Sequence, residues 1–536
     1  MDGISYSVTI ASLSTESSGT PLDVTNLVLD EAYSNGWRGS AVIRASRKDP
    51  IEMNQALSAV MGYGILPGDG ATLALALGRG NGRLSGTVLR IWPSIITRME
   101  PLRTTDSKDL VCQIEFVDPI TYLEDRPVWG AYVDNSPGNI FGAALSLAAG
   151  GTGEATMMPA LPGFPGIRIS ENLRPAIGSI PYVIACGQTL RNWMDDFFGR
   201  LGIRYEMITN RATGDIEVRL ADRAPLSNIV DPGSSGNTSP LIDISLIGYA
   251  GSSSDGLISA TNFDIIGMGR RATRHKFGTV IDNPSIGKPR YTGAGAVDTV
   301  LSEDAIFNEE AEVRANFSTE HYNMHATTVI LGSRQPNLYP GVRLNITNAT
   351  IGDTNTWQCE MVRHVLRERL EYYNNTSVIP SDLAWRSKSL PIQPFKVVSA
   401  IIDGGSGHAQ NDLVARDRTG RVSISFPFST ARNDETPGTS EPRLSLRVLS
   451  SMAGGIHGTV AAHRHGDTCQ VIVYHSMQAE ILGCGYQENR LIHRDFTRDS
   501  TGIVIDHGGD ENKWTGLVFR PPQEEESEDE TTEEGT

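Results

Sequence analysis

Residues 421–428, RVSISFPF, constrain the fold more than any other stretch of this 536-residue chain. Val422, Ile424, Phe426 and Phe428 alternate with Arg421, Ser423 and Ser425. A period of two places the apolar set on one face and the polar set on the other, as in a half-buried strand. Asp417-Arg418-Thr419-Gly420 precedes it as a turn, with Gly420 free to take positive φ.

The same grammar recurs. Tyr6, Val8 and Ile10 alternate with polar neighbours, and residues 39–47 form another short apolar run. Residues 66–92 read as two strands joined by a hairpin, with Asn81-Gly82 as its turn, and residues 110–123 close the group. The 55 Gly and 28 Pro supply the many turns that a β-rich chain needs. Helical sequence follows. Ser136 suits an N-cap and Pro137 the first helical position. Leu190, Trp193, Met194, Phe197 and Leu201 fall at helical spacing, with Gly202 as the stop. Strands resume near 257, and 387–394 read as an extended connector.

An internal repeat is visible. Ala41-Val42-Ile43 followed by Ser46-Arg47 parallels Thr328-Val329-Ile330 followed by Ser333-Arg334. Pro67-Gly68 and Pro340-Gly341 come next, leading into Leu73/Leu75/Leu77 and Val342/Leu344/Ile346, then Val88-Leu89-Arg90 and Val362-Arg363. Duplication gives this pattern; so do two unrelated hairpin modules that share punctuation. If it is duplication, one chain holds two similar barrels separated by an insertion.

Composition excludes several classes. Hydrophobic residues make up 39% and charged residues 20%, enough apolar surface for real cores. The length corresponds to about three to five domains. Net charge is −17, and without the eight acids of residues 523–536 the body is still −9. Such a surface repels phosphate backbones, which argues against nucleic acid as the main ligand. Cysteines 112, 186, 359, 469 and 484 lack C-x-x-C spacing, so neither a disulfide scaffold nor a zinc ribbon is indicated. The first residues lack the pattern of a secretory signal, and the longest weakly polar run is too short to span a bilayer.

Motifs for covalent chemistry are sparse. The run GRGNGRLSG (78–86) leads into a strand, not a helix, so it reads as a hairpin turn rather than a phosphate cradle. His463 and His465 fall on one face of a strand, with Cys469 and His475 nearby, as metal ligation would require; the same residues suit a barrel wall. His507 would form a ring of three ligands if three chains met on an axis, and otherwise reads as a loop residue. Asp195 and Asp196 occupy the polar side of the amphipathic helix, about 100° apart, so they form no acid–base pair. No catalytic residue and no cofactor is assigned. The acidic C-terminal run reads as a disordered, solubilising tail.

Read with its surroundings, the opening stretch resembles a family. Asp417, Gly420, Arg421, Val422, Phe426 and Phe428 match the entry of the oligonucleotide/oligosaccharide-type (OB) barrel in contractile-tail spike proteins, the VgrG proteins of type VI secretion and the spike proteins of phage tails. Leu446-Arg447-Val448, Ala453-Gly454 and Gly458, then Arg464, Gly466, Gly483 and Asn489, continue the pattern. His364, Tyr372 and Pro380 resemble the end of the family's hub part, and 110–127 the end of its first barrel. There are departures. His463 stands where the family has Pro, the hairpin after Val473 is shorter, and little sequence follows Asn489 for a needle.

The resemblance implies a mainly β chain with an α/β insertion: two hub-type β-barrels followed by an OB-fold barrel and a very short β spike. The expected domains are a first hub barrel over 1–125, an α/β insertion over 126–240 and a second hub barrel over 241–386. The OB barrel takes 387–490, short spike strands 491–522 and the acidic tail 523–536. It further implies a structural hub that acts as a homotrimer, adapting a hexameric tube to a threefold, membrane-piercing tip. Its partners would be the tail tube protein, baseplate proteins and a separate spike-tip protein, with transient contact to the target cell envelope. Its place would be the virion tail baseplate or the tip of a contractile injection particle, assembled in the producer cytoplasm. The alternatives are a virion-borne or secreted cell-wall hydrolase, which needs a paired acid and base, and a nucleic-acid-binding barrel, which needs a basic aromatic groove.

Overall fold

A computed structural model describes residues 6–12, 22–46, 72–79, 88–102, 109–150, 167–209, 215–222, 229–230, 241–249, 258–263, 272–277, 298–301, 327–333, 338–348, 352–367, 371–381, 385, 395–405, 407–409, 412–415, 421–428, 443–449, 463–484, 501–506 and 514–519. The chain divides into two compact units, Met1–Pro394 with Tyr474–Gln478, and Phe395–Val473 with Ala479–Thr536. Among the described residues, no helix is long and apolar enough to cross a membrane.

The first unit opens with strands β1 (Tyr6–Ser12), β2 (Leu22–Ala32), β3 (Gly36–Ser46), β4 (Thr72–Arg79), β5 (Val88–Leu102) and β6 (Asp109–Val117). Their order in the sheet is β1-β4-β5-β6-β3-β2, and β2 pairs back to β1, so the six close into a ring. The antiparallel pairing of β4 with β5 bears out the hairpin; its Asn81-Gly82 turn lies outside the described residues.

Later in the unit come β12 (Ile229–Val230), β13 (Leu241–Tyr249), β17 (Thr327–Ser333), β18 (Arg343–Asn348), β19 (Gly352–Arg367) and β20 (Glu371–Pro380). Their order is β12-β18-β19-β20-β17-β13. Taken in chain order, these six strands follow the same path as the first six. Four of the five successive pairings also keep the same antiparallel sense; the two-residue β12 runs parallel to β18, whereas β1 runs antiparallel to β4. The repeat therefore exists as topology. Residues 41–43 and 328–330 lie on the equivalent strands β3 and β17, the Leu75 triplet lies on β4, and Leu344 and Ile346 lie on β18 with Val342 directly before it. Leu75 faces Trp92, and Leu344 faces Trp357, in the two registers. Both tryptophans are buried. The parallel drawn between Val88 and Val362 fails at residue level: Val88 opens β5, while Val362 lies five residues beyond Trp357. Pro67-Gly68 lies outside the described residues.

Between the barrels lies the α/β insertion. A short helix α1 (Pro119–Leu123) leads into it from the first barrel, and it contains β7 (Pro127–Asn135), α2 (Pro137–Ala148), β8 (Ile167–Asn172), β9 (Ile180–Thr189), α3 (Leu190–Leu201), β10 (Arg204–Thr209) and β11 (Ile216–Ala221). Ser136 accepts from the Asn139 N–H as the N-cap of α2, with Pro137 behind it, and Gly202 ends α3 at φ +63°, all as the sequence predicts. Residues 119–123, expected to be strand, form α1 because Asp118 caps Pro119. Apolar side chains of the first barrel and the insertion (Trp37, Trp92, Phe116, Phe141, Trp193, Phe197) share one core. The second barrel has its own, built on Leu344, Trp357, Val362 and Val378. A separate sheet of β14 (Ile258–Phe263), β15 (Ala272–Phe277) and β16 (Asp298–Leu301) interrupts the second barrel between β13 and β17.

Asp196 corrects the reading of α3. The sequence puts it on the polar side; in the structure it is buried, paired with Arg200 at 2.7 Å and accepting the Ser476 N–H at 2.8 Å. Asp195 remains half-buried and pairs with Arg191.

The second unit contains β21 (Lys396–Ile402), β22 (Leu413–Val414), β23 (Arg421–Ser425), β24 (Leu444–Val448), β25 (His463–Arg464), most of β26 (Thr468–His475) and most of β27 (Gln478–Cys484). Strands β21-β23-β24-β27-β26 form a closed barrel in which β24 and β27 are parallel. Counted among themselves, the strands run first, second, third, fifth, fourth, which is the OB-type order. The opening stretch is its second strand. Val422, Ile424 and Phe426 are buried, and Phe426 stacks on the half-buried Phe428 at 4.8 Å. The alternation breaks at Ser425, which is buried rather than outward. Beyond the barrel, β28 (Thr501–Asp506) and β29 (Trp514–Phe519) pair as an antiparallel ribbon, the short spike strands.

Candidate functional site

In the first unit, strands of the two barrels meet along a seam. Strand β2 carries it. One edge of β2 lies along β3. The other edge first pairs with β1 over Leu22–Val24, closing the first ring, and then with β19 over Leu27–Ala32. The two barrels are thereby joined strand to strand, β2 of the first to β19 of the second.

Alternation on β2 and β19 sorts the side chains at this seam. Outward, Asp30 receives two hydrogen bonds from Arg363, at 2.7 and 2.9 Å, and this pairing holds the guanidinium pKa above its usual range. Inward, Glu31 and His364 are both buried. Glu31 Oε1 accepts the Trp92 Nε1–H from β5, and Glu31 Oε2 lies 3.7 Å from His364 Nε2. His364 Nδ1 is 2.7 Å from the Tyr372 hydroxyl, which accepts from Asn374 Nδ2 at 3.2 Å. Asn374 Oδ1 accepts from Ser333 at 2.7 Å and from Thr376 at 3.4 Å. Buried polar groups thus run from Trp92 on β5 of one barrel to Ser333 on β17 of the other, hydrogen-bonded on either side of the 3.7 Å approach of Glu31 to His364.

A second polar node joins the seam to the insertion. The Arg204 guanidinium lies over the Tyr33 ring, 5.1 Å from its centroid, and donates to Glu206 Oε1 at 3.2 and 3.3 Å. Tyr33 OH donates to Gln358 Oε1 at 3.4 Å. Burial raises the Glu206 pKa, opposed by Arg204; burial and then Glu206 push the Tyr33 hydroxyl well up. Gly341, at φ +93°, lets the turn before β18 approach Glu206; a Cβ there would fall 2.8 Å from its carboxylate. These contacts position surfaces; they bring no nucleophile to a base.

This architecture has counterparts among solved structures. A chain of the half-lidded Francisella PdpA–VgrG complex matches with a TM-score of 0.60 at 10% identity, over 97% of this chain and 83% of that one. The lidless form of that complex gives 0.59 at 10% identity, over 97% and 93%. The Escherichia coli c3393 protein, a component of the type VI secretion system with structural similarity to T4 bacteriophage tail proteins gp27 and gp5, gives 0.53 at 12% identity, over 89% and 99%. The chain has the VgrG-like hub-and-spike fold. No protein-family model and no curated protein matches it.

Within this hub fold the histidines singled out by sequence separate. His463 is buried on β25 with its Nδ1 3.3 Å from Cys484 Sγ. His465 Nδ1 accepts the Gly404 N–H at 3.1 Å and lies 3.5 Å from Asp403 Oδ1. His475 Nδ1 accepts the Met477 N–H. His507 lies outside the described residues. Among the described residues no group of three His, Cys, Asp or Glu is arranged to hold a metal ion.

Sequence reasoning named His364 and Tyr372 as marks of the hub part but missed Glu31 and Trp92 beside them. Glu31 had a legible signal: it occupies the inward phase of Leu27 and Leu29, where a charge needs a partner. Asp118 had one too, as a capping residue directly before a proline. Its buried carboxylate accepts from the N–H groups of Trp37, Ile120 and Thr121 and from the Thr121 hydroxyl. Burial nonetheless raises its pKa to about 6. The Arg204–Glu206 node had no such signal, since its partners are far apart in sequence.

Proposed function

We propose that this chain is the structural central hub and spike of a contractile tail or injection machine, acting as a homotrimer that joins a hexameric tube to a threefold tip. The observation that carries the reading is the doubled strand order, β1-β4-β5-β6-β3-β2 repeated as β12-β18-β19-β20-β17-β13. Three chains with two like barrels each give six like units about one axis, and closed rotational symmetry is the usual solution for such assemblies. The polar chain through Glu31, His364 and Tyr372 supports the reading, because it fixes the two barrels of a chain as one piece. Likeness to a VgrG complex over 97% of the chain supports it further.

On this reading the segments serve as two hub barrels (1–125 and 241–386), an insertion (126–240), an OB collar (387–490) and a short spike (491–522) ahead of the acidic tail. The partners are a tube protein, baseplate proteins and a spike-tip protein. The location is the tail baseplate or particle tip, after assembly in the producer cytoplasm. The work is mechanical, and no residue is assigned a catalytic role. Light scattering together with electron microscopy of the purified protein tests it. The expected particle is a trimer whose hub end shows six near-equivalent lobes. A stable monomer at high concentration overturns it, and lysis of cell-wall substrate in a gel would favour a hydrolase instead.

A further inference from the structure

Four of the cysteines have described side-chain surroundings, and they differ sharply. Cys186, Cys359 and Cys469 are buried, while Cys484, the last residue of β27, is exposed. Burial pushes the Cys469 thiol up to about 12, which leaves it protonated and inert at neutral pH. Cys484 differs in environment as well as exposure. Its Sγ lies 3.3 Å from Nδ1 of His463, an imidazole only 5% exposed and held in place by the pairing of His463 with Val414 in the β22–β25 ladder. A sulfur open to solvent within hydrogen-bond reach of a fixed base is the arrangement that activates a thiol nucleophile.

We propose that Cys484 and His463 form a thiol–imidazole pair that is a site of covalent modification by low-molecular-weight disulfides. The imidazole Nδ1 takes the proton from Sγ, and the thiolate attacks one sulfur of the incoming disulfide. That S–S bond breaks as the mixed disulfide with Cys484 forms. The expelled thiolate takes the proton back from Nδ1, so the imidazole ends neutral and no other oxidant is consumed. The buried thiols take no part. The adduct sits at the end of a barrel strand, so its presence changes the outer surface of the OB barrel without entering its core.

The test treats the full chain with oxidised glutathione, locates the adduct by peptide mass analysis, and follows the rate with an aromatic disulfide from pH 5 to 10. The expected result is first modification at Cys484, with a rate midpoint below the roughly 8.5 of a free cysteine. Cys484→Ser should abolish this first adduct. His463→Gln, which keeps a polar side chain but cannot carry the proton, should slow the reaction at pH 7 about tenfold and return the midpoint to about 8.5. A wild-type midpoint at or above that of a free thiol overturns the proposal, and that measurement needs no variant to fold. First modification at any other cysteine also overturns it.

Discussion

The Glu31 carboxylate faces the His364 imidazole across the β2–β19 junction, 3.7 Å away and buried with it. Glu31 also accepts the Trp92 indole hydrogen. Removing the carboxylate therefore strands the buried Trp92 donor and takes away the charge facing His364, and an unmet buried donor is far more costly than a lost exposed one. Glu31→Ala should lower hub stability by about 3 kcal/mol. Glu31→Gln keeps an acceptor for Trp92 and should lose about half as much. Calorimetric unfolding of the two variants checks the ranking; equal melting of wild type and Glu31→Ala would show that the seam chain contributes nothing.

One residue away on each strand, Asp30 and Arg363 form a pair of good geometry that is largely solvent-exposed, with side chains 31% and 53% accessible. Water screens such a pair, so Arg363→Ala should cost only about 0.2–1 kcal/mol and fade further in high salt. Urea midpoints at low and high ionic strength measure it. The contrast with Glu31 isolates burial, because both pairs bridge the same two strands.

Asp118 should give the hub a pH dependence of unusual sign for a carboxylate. Burial raises its folded pKa to about 6 from the ordinary 3.8. The native state holds the proton where the unfolded chain has released it, so this group favours folding fully below about pH 4. That contribution is lost as pH rises through about 6, a swing of roughly 3 kcal/mol. Asp118→Asn does not titrate. The stability of wild type relative to Asp118→Asn should therefore fall between pH 4 and pH 7. A gap that stays constant across that range would mean that the four donors to the carboxylate outweigh its desolvation.

Much of this fold was legible because strand alternation and helix punctuation are local. Ser136, Gly202 and the alternation of Val422 and Ile424 are read from a few neighbouring residues, and the structure agrees. Misreadings occur where a distant partner decides. Asp196 looks like a surface acid within its helix, yet the Arg200 side chain and the Ser476 amide bury it, and Ser476 is 280 residues away. The repeat shows the same limit from the other side. Strand order survives in both barrels, and residue correspondence is kept at the buried Trp92 and Trp357, each opposite a leucine in register, but lost between Val88 and Val362. Glu31 and His364 are separated by more than three hundred positions, so neither could name the other in advance.

Gly341 should be the least replaceable residue of the Arg204–Glu206 node. Its φ of +93° disfavours any L side chain, and a Cβ would fall 2.8 Å from the Glu206 carboxylate. The two penalties act together, since relaxing φ moves the turn away from Cys359, whose carbonyl accepts the Gly341 N–H at 2.9 Å. Gly341→Ala should therefore lose about 2 kcal/mol or more. Gly178 provides the control. It has an ordinary φ of −71°, and the nearest atom to an added Cβ is 3.4 Å away. Gly178→Ala should be neutral or stabilising by about 0.4–1 kcal/mol, through the lower entropy of the unfolded chain. Parallel unfolding curves of the two variants decide the matter, and equal effects would rule out close approach at Gly341 as the reason for glycine there.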